Sequence, residues 1–465
     1  MHPTAILAQH RSETGNSQQR TPALLAVAAP MLAISLAAAL LSAFLAACSS
    51  TPTKTSSALA HDTSATEQAA GGISAIPLSH GAPQPYDPPG SVITTSRAIE
   101  PASRWVRDFD EDGIGFATNF AGARLGRISR TSDSDFVAVV KPENAPINNS
   151  PWYAFKVWSR TRRTIRLHLA YDGGDHRYTP TISHDGTHWR RLESSRVERE
   201  RATGNATIWL DVGRDTLWVA ARQLFTADRV RSWEDSLARL PFVRLDVIGT
   251  STQGRPLRRL TIGEGKEGQI LVIGRQHPPE VAGAWALEGF VRQLTTQTPL
   301  AESFRQRFRV QVVALVNPDG VEGGHWRHNA GGVDLNRDWF SFNQPETRAV
   351  RDAFLQSVGS PAEVLFGLDF HSTWSDVFYT LDSTVAVRLP LLTERWIQQI
   401  EESIPGFTPR VEPSNLESPI FKSWFVRQFG APAVTYEMGD GVGEQRAETI
   451  GAIAAEQLMK LLLES

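Results

Sequence analysis

Four apolar runs constrain this chain more than any other feature of its sequence. QILVIG (269–274), RVQVVALV (309–316), EVLFGLDF (363–370) and APAVTYE (431–437) are near-continuous rather than alternating. That pattern marks strands covered on both faces. Helical stretches at 281–295, 345–357, 391–403 and 446–464 lie between or after them. Buried strands alternating with helices predict an α/β domain, a mixed, largely parallel sheet flanked by helices, which we bound at 242–465. In such sheets ligands gather beyond the carboxyl ends of the strands.

Upstream the period changes to two. In RTIRLHLA, Ile165, Leu167 and Leu169 alternate with Arg166 and His168, and WYAFKVWS, ATIWLDV and DTLWVAA behave alike. Asp185-Gly186 marks a turn between two of these strands. Short alternating strands predict an all-β sandwich over 96–228, with Trp152, Tyr153, Trp158 and Trp189 filling its core. RSWEDSLARL reads as a helical connector, placed at 229–241.

Polar residues cluster where the buried runs end. His277-Pro278-Pro279-Glu280 follows the first run, His371 closes the third and Glu437 ends the fourth. Among 12 histidines one His-x-x-Glu match is expected by chance, so the motif alone decides nothing. A carboxylate ending an apolar strand is costly to bury unless a cation, metal or proton meets it. Imidazole and carboxylate are ordinary zinc ligands, and three protein ligands leave a position open for chemistry. Three strand ends thus bring together a metal set and a general base.

The 465 residues carry a net charge of −3, which gives no basic surface for nucleic acid. The one cysteine, Cys48, excludes an intrachain disulfide and a multi-cysteine metal site. It ends an apolar run from Thr21 to Ala47 behind Arg20, so 1–47 reads as a signal peptide. Leu45-Ala46-Ala47-Cys48 resembles the lipobox of bacterial lipoproteins, and Ser49 resembles those sent to the outer membrane. That resemblance implies a lipidated Cys48 and a chain anchored in the bacterial cell envelope, on the periplasmic side of the outer membrane. Residues 48–95, rich in Ser, Thr, Ala, Gly and Pro, read as a flexible tether.

From about Leu240 onward the sequence resembles the zinc carboxypeptidase family, the carboxypeptidase A-like metallopeptidases. The matching residues are HPPE (277–280), NPDG (317–320), Trp326-Arg327, GVDLNRDW (332–339), DFHS (369–372) and TYE (435–437), in the family's order. SPWYAFKV and YTPTISHDGTHW resemble the N-terminal β-domain of the cytosolic-carboxypeptidase-like subfamily. The resemblance implies one zinc ion on His277, Glu280 and His371, lowering the pKa of its water and polarising the scissile carbonyl. It further implies Glu437 as general base and acid, and Arg327 as the oxyanion's partner. Asn336 and Arg337 would bind the terminal carboxylate of a peptide substrate, and Asp334 would orient His277.

Counting back from Glu437, Trp424 matches a family tryptophan, which puts Lys422 at the base of the pocket for the last side chain. An ammonium there favours Glu or Asp. Asn415 stands where the family has a tyrosine, and Arg275 resembles the cytosolic-like members. His325 and His328 read as loop residues beside Arg327. Two other readings share this residue set: a related zinc deacylase or cell-wall peptide peptidase, and a non-catalytic zinc-retaining envelope protein. The sequence is silent on oligomeric state.

Overall fold

A computed structural model describes residues 96–109, 113–145 and 147–464. The signal peptide, Cys48 and the tether up to residue 95 lie outside the described residues. The first eleven strands are β1 (Val106–Phe109), β2 (Ile114–Ala117), β3 (Arg127–Arg130), β4 (Asp135–Val140), β5 (Ala154–Ser159), β6 (Arg163–Tyr171), β7 (Thr181–Ser183), β8 (Arg190–Arg191), β9 (Val197–Glu200), β10 (Asn205–Val212) and β11 (Leu217–Ala220). They form two sheets, ordered β1-β2-β5-β11-β7-β8 and β3-β4-β6-β10-β9. The alternation in β6 works as read: Ile165, Leu167 and Leu169 are fully buried while Thr164 and Arg166 face outward. Phe116 of one sheet meets Phe136 of the other with ring centroids 5.3 Å apart, so one core lies between them.

Helix α1 (Ala227–Leu237) follows, capped by the Thr226 side chain accepting from the Arg229 amide. Beyond it the chain builds an eight-stranded sheet from β12 (Val243–Thr250), β13 (Pro256–Ile262), β14 (Gly268–Gly274), β15 (Phe308–Val313), β16 (Val364–Thr373), β17 (Val377–Leu381), β18 (Arg410–Ser414) and β19 (Ala433–Gly439). Its order is β12-β13-β15-β14-β16-β19-β17-β18. β14 pairs in parallel with β15 and β16, and β16 with β19, while the β12, β13 and β17 contacts bring in antiparallel pairs. The sheet is mixed and largely parallel, and every residue of β14 is buried.

The helices are α2 (Val281–Leu294), α3 (Pro299–Arg307), α4 (Pro318–Gly323), α5 (Pro345–Ser357), α6 (Leu392–Ser403), α7 (Phe421–Phe429) and α8 (Glu444–Glu464). α2 is almost wholly buried and lies against α8. A methyl at Gly289 would meet the Glu448 carbonyl, and one at Gly451 the Ala286 carbonyl, both at 2.0 Å or less. The N-terminus of α2 rests on the end of β16. The Gly283 amide, an unpaired donor of the first helical turn, donates to Ser372 Oγ at 2.7 Å. A methyl at Gly283 would stand 2.3 Å from the His371 carbonyl, so only glycine permits this approach.

Candidate metal centre

β14 stops at Gly274, and Arg275 takes a left-handed conformation with φ of 57°. That turn, strained by about 1–2 kcal/mol for a residue with a side chain, sends the chain back across the sheet end toward α2. The Arg275 guanidinium holds the turn by donating to the Pro278 carbonyl at 2.7 and 2.9 Å and to the Phe225 carbonyl of the β-sandwich. It acts on the loop backbone, and burial lowers its pKa to about 9. Glu280 occupies the N-cap position of α2 without capping it. Its carboxylate is turned instead onto two histidines.

His277 Nδ1 lies 2.8 Å from Glu280 Oε1, and His371 Nδ1 lies 2.7 Å from Glu280 Oε2. The candidate ligand atoms of all three lie within 4.8 Å of one another. Each imidazole uses its other nitrogen on a buried aspartate: His277 Nε2 on Asp334 Oδ1 at 3.0 Å, His371 Nε2 on Asp369 Oδ2 at 2.9 Å. A neutral imidazole donating Nε2–H presents a lone pair at Nδ1. Two lone pairs aimed at carboxylate oxygens repel unless a cation lies among them. The donor set therefore fits a zinc ion with both histidines bound through Nδ1, their rings fixed by carboxylates behind them.

Sheet register adds the fourth group. His371 pairs with Glu437 across β16 and β19, so their side chains project from the same face. Glu437 Oε2 is enclosed and has no hydrogen-bond partner among the described residues, while the rest of the side chain keeps partial exposure. Burial first, then the Glu280 charge, raises its carboxyl pKa to about 7. Burial alone would raise Glu280 too, but His277 and His371 outweigh it and hold that carboxyl well below the usual range. Two carboxylates near one another are thereby separated in proton affinity, as a ligand and a proton carrier require.

Asp334 couples His277 to Arg327. Its Oδ2 accepts from Arg327 Nε at 2.6 Å, and its Oδ1 also accepts from the Asn336 amide at 2.9 Å. Asn336 is buried, with Oδ1 accepting from the Phe421 amide and Nδ2 at 3.5 Å from His371 Nε2. Arg337 is partly exposed and donates to the Asn336 carbonyl. Arg327, Asn336 and Arg337 thus gather beside the histidines. Asn317 caps α4 and ties it to the Gln276 carbonyl, and Asp319 accepts from Ser251, Gln253 and Arg255. His325 Nδ1 meets the His328 carbonyl, away from the three ligand atoms.

Lys422 lies on α7 and is fully buried. Its Nζ donates to the Thr380 carbonyl at 2.5 Å and Ser414 Oγ at 2.6 Å, both neutral. Burial lowers its pKa to about 8, with no acidic partner beside it among the described residues. Trp424, two residues on, packs among Trp339, Phe342, Phe421 and Phe429. Asn415 is exposed, on the loop after β18, accepting from the Glu417 amide.

Three residues of the site escaped the sequence reading. Asp369 sits two residues before His371, on the same face of β16, and an aspartate inside so apolar a run was the available signal. Gln276 donates to Asp369 Oδ2 at 2.8 Å and accepts from Trp339 Nε1, and nothing in its sequence neighbourhood distinguished it. Glu143 of the β-sandwich accepts from the amides of Trp326, Arg327 and His328. Its partners are more than 180 residues away, so no local pattern could reveal it.

Residues 230–405 match the family profile described as zinc carboxypeptidase, a span that includes His277, Glu280, Arg327 and His371. Cytosolic carboxypeptidase 6 of Mus musculus is 25% identical over 293 residues, covering 55% of this chain and 53% of that protein. An uncharacterized protein of Zymomonas mobilis is 27% identical over 227 residues, covering 47% and 58%. The chain thus spans little more than half the length of these curated relatives. The metallo-carboxypeptidase from Burkholderia cenocepacia superposes with a TM-score of 0.65 at 20% identity, covering 76% of this chain and 99% of its own. That from Pseudomonas aeruginosa, solved with (2-guanidinoethylmercapto)succinic acid, gives 0.64 at 20% identity, covering 75% and 99%. Both shares exceed what the eight-stranded domain alone could supply, so the shared fold takes in the β-sandwich. Residues 230–405 are thus similar to the zinc carboxypeptidase family, and the chain shares the fold of the solved metallo-carboxypeptidases.

Proposed function

We propose that the chain is a zinc metallocarboxypeptidase that releases the C-terminal residue of peptides and favours acidic ends. The observation that carries the reading is the pair of Nδ1 atoms aimed at Glu280, with Glu437 beside them holding an oxygen that has no partner among the described residues. Bound zinc supplies Lewis-acid polarisation of the scissile carbonyl and a water acidic enough to be used near neutral pH. Asn336 and Arg337 bind the substrate's terminal carboxylate, an amide and a guanidinium suiting its two oxygens. Glu437 takes the proton of the attacking water and returns it to the departing amine. Arg327, held by Asp334, offers its remaining N–H groups to the oxygen on which charge develops.

The acidic preference rests on Lys422, an ammonium buried against two neutral oxygens. A substrate carboxylate would give it the counter-charge that no described residue supplies. Anchoring in the cell envelope through Cys48 remains part of the proposal, supported by the sequence of residues 21–49. It is tested by whether a Cys48→Ser chain leaves the membrane fraction. The activity is tested with benzoyl-glycyl dipeptides ending in Glu, Leu or Lys and with wall-derived peptides, before and after chelation. Zinc-dependent release of the last residue, fastest for Glu, is expected. Zinc-dependent release of an acyl group or of an internal fragment would replace the carboxypeptidase with a deacylase or wall peptidase.

A further inference from the structure

Glu143 lies between β4 and β5, in the β-sandwich, and its side chain is fully buried. Its Oε2 accepts from the Trp326 amide at 2.6 Å, and its Oε1 from the Arg327 amide at 2.9 Å and the His328 amide at 2.8 Å. His328 Nδ1 stands 3.3 Å from the same Oε1. Three successive peptide N–H groups turned onto one carboxylate form a concave anion site within the backbone. Burial alone would raise this carboxyl, but its hydrogen bond with His328 and the nearby His325 outweigh it and hold it below the usual carboxylate range.

The consequence falls on Arg327. Fixing the peptide planes on both sides of a residue fixes its φ and ψ, and therefore the direction in which its side chain leaves the backbone. Asp334 fixes the far end of that side chain through Nε. Arg327 is thus held at both ends, by the β-sandwich at its backbone and by the carboxypeptidase domain at its guanidinium. A free arginine gives up about 2 kcal/mol of rotamer entropy when it is immobilised. Here that ordering is complete before any substrate arrives, which is the condition under which a donor to a developing oxyanion is most effective.

Resting on the reading of Arg327 as the oxyanion's partner, we propose that Glu143 is a positioning residue for hydrolysis, through which the β-sandwich aims Arg327 across the domain boundary. The structural alternative is that Glu143 only joins the two domains. Glu143→Gln separates the two. An amide matches the carboxylate in shape, but its NH2 group must oppose at least one of three N–H donors, so the loop has to turn.

The test uses the full chain as wild type, Glu143→Gln, Glu143→Asp, Arg327→Ala and the Glu143→Gln/Arg327→Ala double variant. Zinc content, thermal melting, kcat and KM are measured on benzoyl-glycyl-glutamate and benzoyl-glycyl-leucine. Glu143→Gln is expected to keep one zinc and to lower kcat by about 10- to 100-fold, with KM within about twofold. Glu143→Asp should recover part of that loss, and Glu143→Gln should cost less than about twofold once Arg327 is gone. Unchanged kcat in Glu143→Gln, or an equal loss with and without Arg327, would overturn the proposal. So would a Glu143→Gln chain that loses zinc or fails to fold, because Glu143 would then be a strut. Full activity in Arg327→Ala would instead remove Arg327 from the reaction, a failure of the functional reading that is recognisable on its own.

Discussion

Replacing Lys422 by methionine keeps the length of the side chain and removes its charge. The lysine is fully buried, and burial lowers its pKa from an ordinary 10.5 to about 8. The shift spans roughly 2.5 units, each worth about 1.36 kcal/mol, so folding with a charged Lys422 costs on the order of 3 kcal/mol. The sign follows from which state binds the proton more tightly. Below pH 8 both states are charged and the full cost applies. Between about pH 8 and 10.5 the folded chain releases its proton while the unfolded chain keeps it, so stability rises with pH. Above that range the cost is gone. Methionine abolishes this rise, although it removes the Lys422 donor from the Thr380 carbonyl and Ser414 Oγ, a loss of up to about 1–3 kcal/mol each. The absolute stability of Lys422→Met is therefore a balance of opposing changes, and the pH slope is the clean readout. It is measured by chemical unfolding of wild type and variant at several pH values from 7 to 10.5. The second arm uses the same ammonium. An acidic substrate side chain reaching it forms a desolvated charge pair, so Lys422→Met should lower the Glu-to-Leu ratio of kcat/KM by about 30-fold or more. An unchanged ratio would show that Lys422 does not meet the substrate, and a retained pH slope would show that another group titrates there.

The other expectations concern the metal centre and its scaffold. Glu437→Gln should keep zinc while lowering kcat by about 10²- to 10⁴-fold, since it removes the proton carrier and no ligand; metal analysis beside single-turnover rates decides it. Asp369→Asn leaves an oxygen for His371 Nε2–H but removes the charge behind the ring. It should weaken zinc binding by about 10- to 100-fold in a competitive chelator titration, and unchanged affinity would make Asp369 irrelevant to the ligand. Gly283→Ala drives a methyl into the His371 carbonyl and must part α2 from β16, so its melting transition should fall in line with about 1–3 kcal/mol of overpacking. A variant as stable as wild type would mean that helix and strand approach less closely than described.

The frame of the eight-stranded domain could be read from the chain because both of its signals are local. Strands buried on two faces leave unbroken apolar runs, and β14, β15, β16 and β19 coincide with the four runs to within three residues at each end. The failures have equally local causes. β17 has five residues and β18 is half exposed, so neither leaves a run long enough to see. α7, FKSWFVRQF, is buried on nearly all sides and lost the polar face by which an amphipathic helix is recognised. His371 was expected to close its strand, yet β16 runs on to Thr373 because its pairing with β19 continues to Gly439.

The site divides along the same line. His277, Glu280, His371 and Glu437 fall at strand ends, where register converts sequence position into spatial position, and a reader of the chain can place them. Glu143, Gln276 and Asp369 act through partners fixed only when layers and domains dock. Among the described residues the three candidate metal ligands all lie in the eight-stranded domain, whereas the backbone of the loop that carries Arg327 is held by a carboxylate of the β-sandwich. If that division is physical, removing the β-sandwich's carboxylate should leave zinc affinity untouched while the rate falls. Metal binding and turnover would then separate across the domain boundary. A fall in zinc affinity to match the fall in rate would instead make the two domains a single cooperative unit around the metal.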